Sequence, residues 1–241
     1  MMNRDFSVSA VIVAAGRGTR AGLKMNKVYA GLKGQPVLVH SILPFLQLPQ
    51  TKQVIVSISQ DDLFYFNRLV LENEKIKKYN DKITFAYGGA TRQESVYNGL
   101  LKTDPETTLV AVHDGARPLV RIADIYKVFD KALSVGSACL GVKVKDTVKR
   151  TDQNGFITET LNREELIAMQ TPQVFRREII LDSYEQAFAK NLQGSDDATL
   201  AEMAGYKVAV VLGSHDNIKI TTPEDFTIAE RLLEVILSED L

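Results

Sequence analysis

Short apolar, β-branched runs alternate with stretches of helical spacing along most of the chain. Ser7–Val13 is almost wholly apolar and runs straight into a glycine-rich stretch, which predicts a buried strand rather than a signal peptide. Gln53–Ser59, Ile83–Tyr87, Leu109–Val112, Ala138–Val144 and Lys207–Leu212 repeat the pattern and predict further strands. Between them, Val37–Phe45, Asp61–Leu71, residues 92–101, Ile122–Leu133, Arg177–Ala189 and Ser195–Ala204 carry helical spacing. Pro36 suits the first turn of one helix, and Thr91-Arg92-Gln93-Glu94 fits a capping box opening another. Thr222-Pro223-Glu224-Asp225 opens a last helix to about Leu237, with Thr222 as N-cap and acids on the helix dipole. Strands separated by helix-length segments predict a mostly parallel sheet with right-handed crossovers and helices on both faces, an α/β fold.

One segment breaks this rhythm. Asp146–Thr160 alternates polar and apolar residues around Asn154-Gly155, a strong hairpin signal. Such a hairpin has little core of its own. It is either solvated decoration or an arm that packs on something else, and the expectation is a single domain over residues 1–241 with an arm of the second kind at about 145–167. No internal repeat or low-complexity linker interrupts the chain.

Composition narrows the chemistry. The formal net charge is −1, from 29 Lys+Arg against 30 Asp+Glu, which argues against a broad nucleic-acid groove. Cys139 is the only cysteine, so there is no intrachain disulfide and no cysteine-based metal site; a reducing, cytoplasmic setting is expected, with Cys139 in the core. His40, His113 and His215 show no zinc-hydrolase spacing. No apolar run reaches the roughly 18 residues of a membrane span.

The strongest local feature is Ala14-Ala15-Gly16-Arg17-Gly18-Thr19-Arg20, directly after the first strand. Glycines there let backbone N–H groups approach phosphates at the carboxyl end of a sheet. Gly16-x-Gly18-x-x-Ala21 satisfies the dinucleotide fingerprint, but the ribose-binding acid expected about 20 residues on is absent; the next strand ends near Ser59, before Asp61. Gly22-Leu23-Lys24 misses the P-loop spacing and hydroxyl. The loop instead concentrates Arg17, Arg20, Lys24 and Lys27 within eleven residues. Glycine amides with Arg and Lys suit a reaction at the α-phosphorus of a nucleoside triphosphate, where charge must be stabilised in a crowded phosphoryl group. An attacking phosphate needs no histidine base or cysteine nucleophile. Taken alone, Asp114 suits a turn as well as a site, Lys219 between Ile218 and Ile220 resembles an exposed strand lysine, and Arg163-Glu164 resembles a solvated pair. His113 reads as a strand-end hydrogen-bonding residue rather than a base.

The chain resembles the 2-C-methyl-D-erythritol 4-phosphate cytidylyltransferases of the non-mevalonate isoprenoid pathway from about Val8 to Leu233. The matching segments are Ala14–Arg20, Asn26-Lys27, Gly88–Val96, His113–Pro118, Asp146–Arg150, Arg163, Thr171-Pro172-Gln173, Ser195–Ala198 and Asp216–Asp225. The ribitol 5-phosphate cytidylyltransferases share most of these, but usually read Ala-Gly-Gly where this chain has Ala14-Ala15-Gly16. The resemblance implies a Rossmann-like nucleotidyltransferase fold that transfers CMP from CTP to a polyol phosphate with Mg²⁺ (or another divalent cation), near Asp114. It implies that Ala14, Ala15, Gly16 and Gly18 hold the CTP phosphates, while Arg20 and Lys27 bind the triphosphate and stabilise the transition state. Gly89 and Ser95 would read cytosine, and Asp114 and Gly115 would contact the ribose. Arg117, Thr171 and Lys219 would hold the acceptor, Lys219 also near the α-phosphate. Thr147 and Arg163 would reach the acceptor phosphate of a neighbouring subunit in a homodimer joined by the arm. Four positions depart from the family pattern: Ala90 replaces a common acid, Asn26 a frequent proline, Val28 a frequent glutamine and Gly115 an alanine often seen there.

Overall fold

The computed structural model describes residues 5–16 and 26–239. The strands are β1 (Val8–Val13), β2 (Gly31–Leu32), β3 (Gln35–Pro36), β4 (Thr51–Ile58), β5 (Ile83–Tyr87), β6 (Leu109–Asp114), β7 (Ser137–Lys143), β8 (Lys149–Thr151), β9 (Ile157–Thr160), β10 (Ile167–Arg176) and β11 (Ala209–Leu212). The helices are α1 (Val37–Leu46), α2 (Leu63–Tyr65), α3 (Arg92–Leu100), α4 (Ile122–Val135), α5 (Arg177–Ala189), α6 (Asp197–Met203) and α7 (Pro223–Glu239).

Seven strands form one sheet in the order β11-β7-β10-β6-β1-β4-β5. All neighbours pair in parallel except β10, which is antiparallel to both β6 and β7. Strand periodicity sends alternate residues of β1 to opposite faces. Ala10 and Ile12 pack with Ile42 and Phe45 of α1 and Phe129 of α4, whereas Val11 packs with Val96 of α3, Ile180 and Tyr184 of α5 and Leu200 of α6. Helices therefore cover both faces, as the continuous apolar runs predict. A third cluster sets Ala229 and Leu233 of α7 against Leu32, Val37 and Ile220, which anchors the segment before α7 beside the end of β6.

Strand β10 was not visible in the hydrophobic pattern. Pro172 interrupts it, and proline ordinarily argues against a central strand because it cannot donate to the ladder. The structure accommodates it at an irregularity: the β10–β7 register shifts between Met169 and Gln173. The helix expected over Asp61–Leu71 is irregular, with a 3₁₀ turn at Gln60–Asp62, α2, and π-type turns over Phe66–Leu71 that bury Phe66 and Val70. The capping box at α3 forms in modified shape. Thr91 Oγ1 accepts from Glu94 N–H, but the Glu94 carboxylate accepts from Ala90 N–H, one residue further back. At α7, Asp225 accepts from the backbone N–H of both Thr221 and Thr222.

The arm is a two-stranded sheet of β8 and β9, and every residue of both strands is exposed. Its turn uses Gly155 in the left-handed region at φ +86°, with Asp152 C=O accepting from Gly155 N–H. The Asp152 carboxylate accepts from Asn154 and Phe156 N–H. Glycine is required at Gly155 because side chains crowd the carbonyl there. Phe156 and Ile157 remain 72% and 63% exposed, so the arm lacks a core of its own.

Helix α3 approaches the sheet through Gly99, where a Cβ would stand 2.6 Å from Val11 Cγ1 and 3.1 Å from Ser57 Oγ. Gly99→Val should overpack this contact and destabilise the fold by about 1–3 kcal/mol. Urea unfolding checks this; an unchanged midpoint would show that α3 can move away freely.

Candidate active site

The carboxyl ends of β1, β4, β5 and β6 open on a single cleft of about 790 Å³, the expected ligand position in an open α/β sheet. Its walls among the described residues include 14–16 after β1, 26–28, 59–61 after β4, 88–92 after β5, Ser95, Asp114 and Lys219.

The first wall is built from backbone. Ala14 N–H donates to Ser57 C=O at 2.8 Å, extending the sheet beyond β1. Asn26 Nδ2 donates to Ala14 C=O at 2.8 Å and to Asp62 Oδ2 at 2.9 Å, so one amide ties the end of β1 to the segment after β4. Asn26 also caps the 3₁₀ turn Lys27–Tyr29, placing Lys27 at the cleft. Burial raises the Asp62 pKa, and the Asn26 hydrogen bond partly offsets that.

The second wall is the loop between β5 and α3. Ser95 Oγ donates to Thr91 C=O at 2.8 Å and accepts from Gly89 N–H at 3.1 Å, so its hydroxyl shapes the loop it lines. The two walls meet closely: a Cβ on Gly88 would stand 2.3 Å from the Ala15 Cβ. Only glycine fits there.

Opposite lies a charge cluster. Asp114 Oδ2 is 2.9 Å from Lys219 Nζ and 3.6 Å from Arg117 Nε, while Oδ1 is 3.6 Å from Arg92 Nε. Burial alone would raise the Asp114 pKa, but Lys219 and then Arg92 outweigh it and hold the carboxyl well below the usual range. Arg92 in turn places both terminal nitrogens on Asp197, at 3.2 and 2.8 Å. Asp197 has no exposed side-chain surface and also accepts from the Tyr184 hydroxyl.

Behind Asp114 is a supporting network. Thr171 Oγ1 accepts from Asp114 N–H at 3.1 Å and lies 3.0 Å from His113 Nδ1, to which its hydroxyl can donate. His113 Nε2 lies 3.0 Å from Arg117 C=O, so a neutral ring protonated at Nε2 satisfies both contacts. Arg117 Nη1 donates to Asn217 C=O at 2.7 Å. Asn217 Nδ2 donates to Thr171 C=O at 2.9 Å, and Ile220 N–H to Ala116 C=O at 2.8 Å, pinning the chain on both sides of Lys219.

The structure therefore brings Ala14, Ala15, Gly16, Lys27, Gly89, Ser95, Asp114 and Lys219 to one cleft. Gly18 and Arg20 lie outside the described residues. Thr171 and Arg117 sit behind Asp114, being 4% exposed as a residue and 13% exposed in side chain respectively. Gly115 spends both backbone groups internally, its N–H on Val13 C=O and its C=O on Ser41. Thr147 is exposed beside the arm, and Arg163 donates to Lys145 C=O, away from the cleft residues. Cys139 and His113 are fully buried, in the structural roles expected of them. Sequence reasoning missed Arg92, Asp197 and the Asn26–Asp62 link. Arg92 was absorbed into a capping box and Asp197 into a helix start, and neither signal says what lies across the fold. No group of three His, Cys, Asp or Glu able to hold a metal occurs among the described residues.

Burial pushes the His113 pKa down to about 4, against 6.5 for a free ring. Between these values the unfolded chain binds the proton and the folded chain does not. Stability thus rises with pH across this window by at most roughly 1.4 kcal/mol per unit, is complete above about 6.5, and is lost as pH falls towards 4. His113→Gln should flatten the pH dependence of the urea midpoint in this window; parallel slopes for both proteins would contradict a buried neutral ring.

Comparison with known proteins places this architecture. Residues 8–235 match the family model for 2-C-methyl-D-erythritol 4-phosphate cytidylyltransferase. The chain is 44% identical over 227 residues to the protein of that name from Pelotomaculum thermopropionicum, covering 94% of each. It is 42% identical over 232 residues to the chloroplastic enzyme of Oryza sativa subsp. japonica, covering 95% of this chain and 75% of the rice protein. The crystal structure of 4-diphosphocytidyl-2C-methyl-D-erythritol synthase from Anaerococcus prevotii superposes with a TM-score of 0.84 at 30% identity, over 96% of this chain and all of that one. With its mostly parallel sheet, Rossmann-like nucleotidyltransferase fold and cleft at the strand ends, the chain belongs to the 2-C-methyl-D-erythritol 4-phosphate cytidylyltransferase family.

Proposed function

We propose the following division of labour for a chain that, as a member of this family, is a CTP-dependent cytidylyltransferase of isoprenoid synthesis acting on 2-C-methyl-D-erythritol 4-phosphate. An acceptor phosphate oxygen attacks the α-phosphorus of CTP; the new P–O bond forms as the bond to the β-phosphate oxygen breaks, and pyrophosphate leaves. The observation that carries the assignment of roles is the cluster of Lys219, Arg92 and, behind them, Arg117 around Asp114, in a cleft that Lys27 and the backbone wall also line.

The amides of Ala15 and Gly16, with Gly18 and Arg20, hold the triphosphate, and Ala14, whose N–H is held by Ser57 C=O, fixes the start of that wall. Lys27 stabilises charge as the bond to pyrophosphate breaks, and preorganised donors of this kind act without reorganising during the reaction. Gly89 and Ser95 frame the cytosine. Ser95 can still accept one further hydrogen bond, since its donor is committed to Thr91. Ala90 supplies no acid here, and Glu94 instead fastens the Ala90 backbone. Lys219 meets the α-phosphate and the incoming acceptor. Arg117 and Thr171 act largely through Asp114, which they hold in place, and Gly115 fixes the turn after β6.

Mg²⁺ is the proposed cofactor. Such an ion keeps several waters and leans on substrate phosphates, so the Asp114 carboxylate at the cleft wall fits it without a protein cage. When bound, it supplies charge neutralisation on the triphosphate. The arm, with Phe156 and Ile157 uncovered, is proposed to pack on a second copy and to carry Thr147 and Arg163 to that copy's acceptor site. No helix among the described residues is long and apolar enough to cross a membrane, and a cytoplasmic location belongs to the same reading. The ribitol 5-phosphate alternative is not favoured, since the matching family model is that of the methylerythritol phosphate enzymes.

Purified protein with CTP, Mg²⁺ and 2-C-methyl-D-erythritol 4-phosphate should release pyrophosphate, with ribitol 5-phosphate used at least about tenfold less efficiently by kcat/KM. Equal use of both acceptors would defeat the assignment. For the arm, Lys27→Ala should lower kcat by about 10²–10³, and Arg163→Ala should impair acceptor use. Mixing the two inactive chains should regenerate one intact site per hybrid dimer. Absence of recovered activity would place Arg163 outside the partner's site.

A further inference from the structure

The Arg92–Asp197 pair joins the starts of two helices that lie 105 residues apart in sequence. Arg92 opens α3 and Asp197 opens α6, and both terminal guanidinium nitrogens of Arg92 are committed to Asp197. The Arg92 nitrogen in ion-pair contact with Asp114 is Nε, and at 3.6 Å from Oδ1 it lies beyond hydrogen-bond distance. Lys219 and Arg117 both approach the other oxygen, Oδ2. Oδ1 of Asp114 therefore has no hydrogen-bonded partner from the three cations, although the Arg92 charge stands beside it.

Guanidinium–carboxylate pairs favour a two-pronged contact through parallel N–H donors. Without the Asp197 charge, the next carboxylate within reach of Arg92 is Asp114, and a two-pronged contact there would occupy Oδ1. Asp197 is suited to prevent this. Its side chain has no exposed surface, and Tyr184 donates to the same oxygen that Arg92 Nη1 contacts, so the carboxylate is fixed from two sides.

We propose that Asp197 is a positioning residue for the nucleotide site: by engaging both terminal nitrogens of Arg92 it keeps Oδ1 of Asp114 open for a hydrogen-bond donor or cation brought by the nucleotide. This rests on the reading above in which Asp114 faces CTP. Asp197 touches no substrate and acts through Arg92, and Tyr184 steadies it.

CTP dissociation constants, measured by calorimetry with Mg²⁺ and without acceptor, test the idea in three variants. Asp197→Asn should weaken binding about tenfold, because Arg92 is released onto Asp114. Adding Arg92→Gln to that variant should tighten binding at least about threefold relative to Asp197→Asn alone, since the blocking group is gone and no buried charge is left unpaired. Asp197→Asn that is folded at the assay temperature by urea titration and yet weak for CTP is the mark of the proposal; a merely structural pair would bind like the parent once folded. A double variant as weak as the single one, or a single variant that binds like the parent, overturns the proposal. Should Asp197→Asn fail to fold, Asp197→Ser takes its place in the same comparison: recovery of binding on adding Arg92→Gln supports the proposal, and no recovery overturns it. Asp114→Asn separates the two levels. Unchanged CTP binding there removes the nucleotide role of Asp114 and this inference with it, whereas weakened binding without rescue in the double variant removes the inference alone. Repeating the series with the metal chelated tells a hydroxyl from a cation at Oδ1: an effect that persists assigns the donor to the nucleotide, and one that vanishes assigns it to the metal, both consistent with an opened Oδ1.

Discussion

The site depends on the attraction between one nearly buried carboxylate and three cations. Lys219, Arg117 and Arg92 come from three separate segments, and each lies within 3.6 Å of an Asp114 oxygen. Without a shared anion these groups would repel one another in a partly desolvated wall. Breaking a buried pair by removing one partner commonly costs about 3–5 kcal/mol, because a charge is left uncompensated. The surplus of positive charge over Asp114 is what an incoming triphosphate and a phosphate ester can neutralise. The free site is thus held together by a stand-in for part of its substrates' charge.

That cluster could not exist without the way the sheet ends. Asp114 is the last residue of β6, and its N–H is taken by Thr171 from the antiparallel neighbour β10. The irregularity around Pro172 lets a threonine face Asp114 where a regular ladder would present only backbone. His113, adjacent in sequence, points to the opposite face and packs near Phe45, 5.1 Å between ring centroids. Strand alternation therefore divides two consecutive polar residues between different tasks: one exposes charge to the cleft, the other holds the turn carrying Arg117.

Much of this was readable in the sequence, and the boundary has a physical origin. The parallel strands, the helices on both faces, the hairpin arm and the wall formed by residues 14–16 after β1 follow from local periodicity and turn chemistry, which act over a few residues. Strand β10 escaped because its proline obscures the pattern, although tertiary pairing on both sides overrides local preference. The roles of Arg92 and Asp197 escaped for a different reason. They are 105 residues apart, and each has a sufficient local explanation as part of a helix start. Taken alone, Lys219 suits an ordinary surface strand; the family resemblance singles it out, and Asn217 and Ile220 pin its flanks against β10 and the turn after β6. Residue identity announces chemistry, but partnership across the fold depends on topology.

The overall charge of −1 fits this division. A protein built to bind small phosphate esters gains nothing from a uniformly basic surface, which would attract polyanions at large. It needs positive charge concentrated at one place and oriented. Here carboxylates provide the orientation: Asp114 gathers three cations, Asp197 fixes the terminal nitrogens of one of them, and Asp62 holds the amide that places Lys27. Acids that cancel basic residues in the composition are, at this site, what aims them. Near-neutrality of the chain and strong local polarity of the cleft therefore have the same structural cause.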